Sequence, residues 1–259
     1  MEKIIDSFTF NGEFDILELR LEILYPHVDT FIIGEAPITF SGKPKPLYFE
    51  QQSKRFERFF NKIQYWVIDE YYQPWILQKM QREYDMMTTN QPFLMAFYQK
   101  ESINIPLLKF DERDIVYSGD VDEIWIPQQV QDEPHKLEQL SYSMYLNNRT
   151  NEPWRGTAIA RRKDYTDQGI GHIRQKTAKT LKNGGWHFSN MGGLDELRRK
   201  IQSYDHQEVN TKENHAMLEE RHKKGTDFLG RPNFQNKIDD TEWPQYLKEN
   251  KARFQHLCK

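Results

Sequence analysis

The sequence has almost no cysteine, no long apolar run and no excess of charge of one sign. Cys258 is the only cysteine among 259 residues, so an intrachain disulfide is excluded and a reducing compartment is the default. No run reaches about 18 apolar residues and no signal-peptide core is present, so we predict a soluble, cytoplasmic protein without a transmembrane segment. With 36 basic and 39 acidic residues, the net charge of -3 argues against a protein that binds nucleic acid through its phosphates.

Aromatic residues are plentiful, at 14% of the chain, and they indicate a folded protein with a substantial core rather than a disordered one. We find no internal repeat, and no proline- or serine-rich linker separates the two halves of the sequence. A single domain covering residues 1–259 is therefore predicted.

Short apolar runs alternate with helical patterns in the first half of the chain. The run Thr30 to Glu35 is typical of a strand buried on both faces, and Asp114 to Ser118 has the same character. This alternation predicts an α/β fold with a parallel, doubly wound, Rossmann-like sheet and a less regular C-terminal third. Such sheets bind ligands at the carboxyl ends of their strands, which directs attention to the residues that follow Tyr117.

The segment Ser118-Gly-Asp-Val-Asp-Glu123 is the most informative motif. Asp120 and Asp122 are two residues apart, so in an extended segment both carboxylates point to one side. Two converging carboxylates suit a hard divalent cation such as Mg²⁺ or Mn²⁺, shared with the phosphates of a nucleotide. The competing interpretation is an acidic turn on the surface.

This motif and several further blocks, in the same order, resemble glycosyltransferase family 17. The resemblance implies a GT-A fold and inverting transfer of a sugar to a hydroxyl of a glycan acceptor, with Mn²⁺ or Mg²⁺. It favours UDP-GlcNAc as the donor and implies a nucleotide-binding half, 1–123, and an acceptor-binding half, 124–259. The oligomeric state stays open. The blocks are DSFTFNGEFDILELRLEILYPHVDTFIIGEAPITFSGKPKPLYF, the Arg82-Glu83 pair, SGDVDEI, WRGTAIARR, GGWHFS and GTDFLGR.

Metal-binding and phosphate-binding residues can be chosen from these blocks. Asp120 and Asp122 are the predicted metal ligands, and His187 in GGWHFSN is a third candidate, although it could instead be a core histidine beside Trp186. We expect Glu123 to point away from the metal and to make a structural hydrogen bond. The candidates for donor binding are Glu35, Arg82, Asp120, Arg161, Arg162, Arg174 and Lys176.

An inverting transferase needs a general base for the acceptor hydroxyl, and carboxylates do this work in sugar chemistry. Asp195 and Glu196 begin a predicted helix directly after two glycines, which leave room for a sugar. Acidic residues also stabilise helix N-termini, so a structural role is the alternative. Asp205 and Glu35 are the next candidates. The predicted sugar-stacking platforms are Trp154, Trp186 and Tyr98.

Two other functions stay open at this stage. A sugar-1-phosphate nucleotidyltransferase also uses carboxylate-held Mg²⁺, but the first predicted strand leads to FNGEFDILE, which lacks the glycine- and basic-rich loop of those enzymes. A non-catalytic carbohydrate-binding protein is the other alternative, and the intact pair of Asp120 and Asp122 argues against it.

Overall fold

Strands and helices alternate along the chain in the computed structural model, which describes residues 2–68, 91–129, 132–231 and 235–259. The strands are β1 Ile4–Thr9, β2 Thr30–Glu35, β3 Ile63–Val67, β4 Ile115–Asp120, β5 Glu123–Trp125, β6 His135–Leu137, β7 Leu140–Ser143, β8 Asn148–Thr150, β9 Ala158–Arg161, β10 Thr180–Leu181, β11 Gly185–Ser189 and β12 Asn236–Ile238. The α-helices are α1 Phe14–Leu24, α2 Tyr48–Gln51, α3 Gln91–Glu101, α4 Asn104–Leu107, α5 Arg162–Gln168, α6 Ile170–Lys176, α7 Gly193–Ser203, α8 Lys212–Lys224 and α9 Gln245–Glu249. Short 3₁₀ helices cover Ser53–Phe59, Gln207–Val209 and Gln255–Leu257.

The larger sheet has seven strands in the order β10-β6-β9-β4-β1-β2-β3. Strands β4, β1, β2 and β3 are mutually parallel, and Ser7 in β1 pairs with Ile32 on one side and with Ser118 on the other. Strand β9 runs antiparallel to both β4 and β6, so the sheet is mixed rather than wholly parallel. The predicted α/β class is confirmed, and the parallel arrangement holds for the first four strands.

A second sheet is formed by strands between residues 123 and 238, and two of them, β11 and β12, lie in the C-terminal third for which we predicted less regular structure. Its five strands have the order β12-β8-β7-β11-β5, and each is only three to five residues long. Strand β5 follows β4 after a two-residue turn, and β11 pairs with it antiparallel, so that His187 lies opposite Glu123. This pairing brings residues from the second half of the chain to the end of β4.

A buried ion pair joins the first helix to the first strand. Arg20 in α1 and Asp6 in β1 are both fully buried, with guanidinium-to-carboxylate distances of 2.7 and 2.6 Å. Trp125 donates a further hydrogen bond of 2.9 Å to Asp6 through its indole nitrogen. Asn11 has a residue type that commonly caps a helix, but the helix begins at Phe14 and is preceded by Glu13.

The predicted helix over residues 76–88 lies outside the described residues. Within the described ranges, we find no helix that is both long and apolar enough to cross a membrane.

Candidate active site

A cavity of about 940 Å³ opens at the carboxyl ends of β1 and β4. The chain proceeds from β1 outward to β2 and β3, and then returns to the other side of β1 as β4. The point where the strand order reverses therefore lies between β1 and β4, which is where open α/β sheets bind their ligands. Thr9 and Phe10 line the cavity from the end of β1, and Asp120, Val121 and Asp122 line it from the end of β4.

The turn that carries Asp120 and Asp122 is held by hydrogen bonds from the side chain of Arg20. One guanidinium nitrogen of Arg20 donates to the carbonyl oxygens of Asp120, Val121 and Glu123, at 3.0, 3.2 and 2.7 Å. The rest of the guanidinium is bound to Asp6. The backbone of the motif is thus fixed by a side chain that itself has no freedom to move, as a preorganised site requires.

Asp120 is bound by two cations at the edge of the cavity. Its Oδ1 accepts a hydrogen bond of 3.0 Å from Arg174, and Lys100 Nζ lies 3.2 Å from the same oxygen. Burial by itself would raise the pKa of Asp120, but the attraction of Arg174 and Lys100 outweighs it and lowers the pKa well below its usual value. Asp120 is consequently ionised, with its charge already compensated by the protein.

Glu123 points away from the cavity and ties its wall together, as predicted. It is fully buried and accepts hydrogen bonds from Thr157 at 2.8 Å and from the Trp154 indole at 2.6 Å. Arg174 donates to both of its carboxylate oxygens, at 3.0 and 3.2 Å. A Cβ added to Gly119 would lie 2.6 Å from Glu123 Oε2, so this glycine makes room for the Glu123 side chain.

Asp122 faces His187 and Lys200 on the opposite wall. The distances from its carboxylate oxygens are 3.6 Å to His187 Nε2 and 3.7 Å to Lys200 Nζ. Burial opposes ionisation of Asp122, yet these two neighbours outweigh it and lower the pKa below its usual value. The Trp154 ring stacks on the His187 ring with centroids 4.5 Å apart, which fixes the orientation of the imidazole.

The predicted metal ligands Asp120, Asp122 and His187 fit a divalent cation only in part. Among the described residues, no group of three or more histidine, cysteine and acidic side chains could hold a metal ion. Mg²⁺ in nucleotide sites, however, commonly takes one or two carboxylates and completes its shell with phosphates and water. Asp122, with His187 beside it, meets that requirement. Asp120 fits less well than predicted, because Arg174 and Lys100 already occupy its Oδ1.

Several residues predicted for donor binding lie away from the cavity. Glu35 is buried and accepts hydrogen bonds from Lys45, from Tyr65 and from two backbone N–H groups, so it organises the loop after β2. Arg161 binds Glu2 and a backbone carbonyl, and Arg162 lies 3.5 Å from Glu112. Lys176 is exposed at the end of α6. Arg82 lies outside the described residues.

The predicted general bases also lie outside the main cavity. Asp195 has a side chain that is 96% exposed, and it pairs with Arg198 on its own helix. Glu196 binds Arg199 at 2.5 Å, and Arg199 in turn donates to the carbonyl of Asn11. Through Arg199, α7 supports the loop after β1, and Glu196 borders a small cavity of about 20 Å³ that shares Glu13, Asp122 and Lys200 with the main one.

We expect Asp195→Asn to leave the rate of sugar transfer unchanged within about twofold, because surface substitutions away from a site have small effects. The rate of nucleotide release by the purified variant is the measurement. A loss of 100-fold or more would place the base at Asp195 after all.

Sequence reasoning missed three residues on the cavity wall. Lys100 and Lys200 belong to helices with no motif of their own, and only the fold brings them to Asp120 and Asp122. Glu13 lines the cavity from the loop after β1, and its pKa is raised by burial despite the opposing effect of Arg199. Of the predicted stacking platforms, Trp154 lines the cavity, whereas Tyr98 is buried in a small apolar cluster and Trp186 donates to the carbonyl of Glu242.

Comparison with known proteins agrees with the resemblance read from the motifs. The family model described as glycosyltransferase family 17 matches residues 1–230, which is most of the chain. Over 71 residues, the chain is 32% identical to the β-1,4-mannosyl-glycoprotein 4-β-N-acetylglucosaminyltransferases of Rattus norvegicus and Homo sapiens, and 31% identical to that of Mus musculus. The matched segment is 27% of this chain and 13% of each relative.

A mixed α/β fold with a cavity that charged side chains line at the reversal point of its sheet defines a class of ligand-binding α/β proteins. Within that class, this chain belongs to glycosyltransferase family 17.

Proposed function

We propose that the protein is a metal-dependent, inverting glycosyltransferase of the GT-A type that transfers GlcNAc from UDP-GlcNAc to a hydroxyl of a glycan acceptor. One observation carries the proposal. Carboxylates and cations converge at the carboxyl ends of β1 and β4, in a cavity large enough for a nucleotide sugar and part of an acceptor. The names of the relatives support the choice of GlcNAc and of a glycan.

The charges of the site suit a diphosphate accompanied by a divalent cation. Three negative charges are paired with three positive charges at this site. The carboxylates are Asp120, Asp122 and Glu123, and the cations are Arg174, Lys100 and Lys200. The site is thus close to neutral by itself, and a nucleoside diphosphate would add negative charge that the cations present do not balance. A divalent cation held by Asp122 supplies the missing charge, and when bound it stabilises the departing diphosphate as a Lewis acid.

The protein's own cations would position the diphosphate. Arg174 is rigidly held by Asp120, by Glu123 and by the carbonyl of Gly156, which it reaches at 3.0 Å. Lys136 also lines the cavity, and burial together with the nearby Arg174 lowers its pKa. A phosphate group would relieve the mutual repulsion of these two cations. We therefore assign Lys136 and Arg174 to the phosphates of the donor.

Both halves of the chain contribute to this site, and the division into a nucleotide-binding half, 1–123, and an acceptor-binding half, 124–259, is part of the proposal. The β1 end and the motif at Asp120 come from the first half. The more distant wall, with Tyr204, Phe228 and Arg231, comes from the second half and is assigned to the acceptor.

The activity can be tested with purified protein, Mn²⁺ and a panel of nucleotide sugars. Release of UDP from UDP-GlcNAc supports the proposal. Formation of pyrophosphate from a sugar 1-phosphate and UTP would instead indicate a nucleotidyltransferase. If neither product forms but sugars bind, the protein is a non-catalytic carbohydrate-binding member of the family.

Donor binding should depend on a divalent cation. We expect UDP to bind at least about tenfold more tightly with Mn²⁺ or Mg²⁺ than in EDTA, a difference of roughly 1.4 kcal/mol. The physical reason is that Arg174 and Lys200 are already engaged by carboxylates. Titration calorimetry measures this directly. Equal affinity in EDTA would mean that Arg174 and the lysines hold the diphosphate alone.

A further inference from the structure

We propose that Glu13 is the general base that takes the proton from the acceptor hydroxyl, an inference that rests on the glycosyltransferase activity proposed above. Glu13 immediately follows the loop at the end of β1 and is half-buried. It lines the main cavity together with Asp122 and Lys200. The same three residues also border an adjoining cavity of about 20 Å³, so their side chains lie close together.

The carboxylate of Glu13 is held in place without being consumed by a structural role. Its Oε2 accepts a hydrogen bond of 2.9 Å from the backbone N–H of Asn11. It precedes α1 but makes no side-chain hydrogen bond that caps this helix. Arg199 donates to the carbonyl of Asn11 at 2.5 Å and is itself paired with Glu196. The loop that presents Glu13 is therefore fixed by α7.

The other carboxylates on the cavity wall are less suited to accept a proton. Asp120 and Asp122 are each paired with cations that lower their pKa, and Glu208 is bonded to His206 at 2.6 Å. Burial raises the pKa of Glu13, although Arg199, two backbone N–H groups and Lys200 oppose the effect, and a higher pKa makes a carboxylate a stronger proton acceptor. Asp205 also lines the cavity and is the competing base.

In the step we assign to Glu13, the acceptor O–H bond breaks and its proton moves to the Glu13 carboxylate. The acceptor oxygen forms a bond to the anomeric carbon of the sugar. The bond from that carbon to the diphosphate oxygen breaks, and its electron pair leaves with the nucleoside diphosphate. Glu13 then releases the proton to water.

The test compares water with azide as the acceptor of the sugar from UDP-GlcNAc. Water must lose a proton when it attacks, whereas azide has none to lose. We expect Glu13→Gln to release UDP with water roughly 10²- to 10⁴-fold more slowly than the wild type. With sodium azide, the variant should release UDP and form the inverted glycosyl azide at close to the wild-type rate. Its affinity for UDP, measured by calorimetry, should stay within about twofold.

Three further variants sharpen the comparison. Glu220→Gln makes the same change at an exposed position on α8, outside the cavity lining, and should leave both reactions unchanged. Glu13→Asp keeps the charge but shortens its reach, and should lose less activity with water than Glu13→Gln. Asp205→Asn tests the competing base.

Four results would overturn the assignment. The first is hydrolysis by Glu13→Gln at the wild-type rate, and the second is an equal loss with water and azide, which a structural role predicts. The third is a loss with water but not with azide in Asp205→Asn alone. The fourth is a greater loss in Glu13→Asp than in Glu13→Gln. If the wild type itself releases UDP from no nucleotide sugar, the proposed transferase function fails and the assignment fails with it. An active wild type beside an active Glu13→Gln refutes only the base.

Discussion

Asp122→Asn is expected to lower the rate of sugar transfer by roughly 10³-fold while the protein stays folded. Asparagine keeps the size of the side chain but removes the charge that faces His187 and Lys200 and that would hold a divalent cation. Charge stabilisation by such a cation contributes several kcal/mol to the transition state, and about 4 kcal/mol corresponds to 10³-fold in rate. The rate of UDP release in saturating Mn²⁺ measures the effect.

The matched control is Asp195→Asn, which makes the same change at an exposed position outside the cavity. Calorimetry should also show that Asp122→Asn loses the dependence of UDP binding on Mn²⁺. A variant that transfers sugar at the wild-type rate would remove Asp122 from the metal site. The loss of its ion pairs should cost little stability, because removal of Asp122 also ends its repulsion of Asp120.

Arg20→Met should lower the free energy of unfolding by about 3–5 kcal/mol, because the variant leaves the Asp6 carboxylate buried without its partner. The ion pair is fully buried on both sides. Three carbonyl oxygens of the segment from Asp120 to Glu123 lose their donor at the same time. Urea denaturation followed by circular dichroism measures the loss.

Arg198→Met is the control for this prediction. Arg198 pairs with Asp195, both side chains are exposed, and such ion pairs contribute only about 0–1 kcal/mol. Adding Asp6→Asn to Arg20→Met should recover part of the lost stability, since it removes the unpaired buried charge. A loss below about 1 kcal/mol in Arg20→Met would show that water or another donor replaces the guanidinium.

The sequence predicted the local parts of the fold and of the site. Apolar runs such as Thr30 to Glu35 located the central strands, and the position of Asp120 and Asp122 after such a run located the cavity. These features depend on neighbours along the chain. The antiparallel direction of β9 relative to β4 could not be predicted in the same way. Four short strands lie between β4 and β9 in the sequence, so the two strands are not neighbours along the chain.

The partners of the two aspartates depend on contacts between distant segments. Arg174 was one of several basic candidates and lay outside the blocks that resemble the family, and only the packing of α6 against β4 selects it. Lys200 and Glu13 had no distinguishing pattern around them. Asp195 looked suitable because it followed two glycines, yet the orientation of α7 turns it to solvent. Rotation of a helix about its axis is set by tertiary packing, which a single sequence does not specify in detail.

The central position of β1 determines when the site can form during synthesis of the chain. Its partner β2 emerges soon afterwards, but its other partner, β4, lies about 110 residues later, as the bond from Ser7 to the carbonyl of Tyr117 shows. Arg20 can pair with Asp6 as soon as β1 and α1 have been made. Its hydrogen bonds to the carbonyl groups of residues 120–123 can form only after that segment has been synthesised. His187 arrives later still. The nascent chain therefore carries an open edge on β1 until β4 has been made, and His187 reaches the cavity only after β11 has paired with β5.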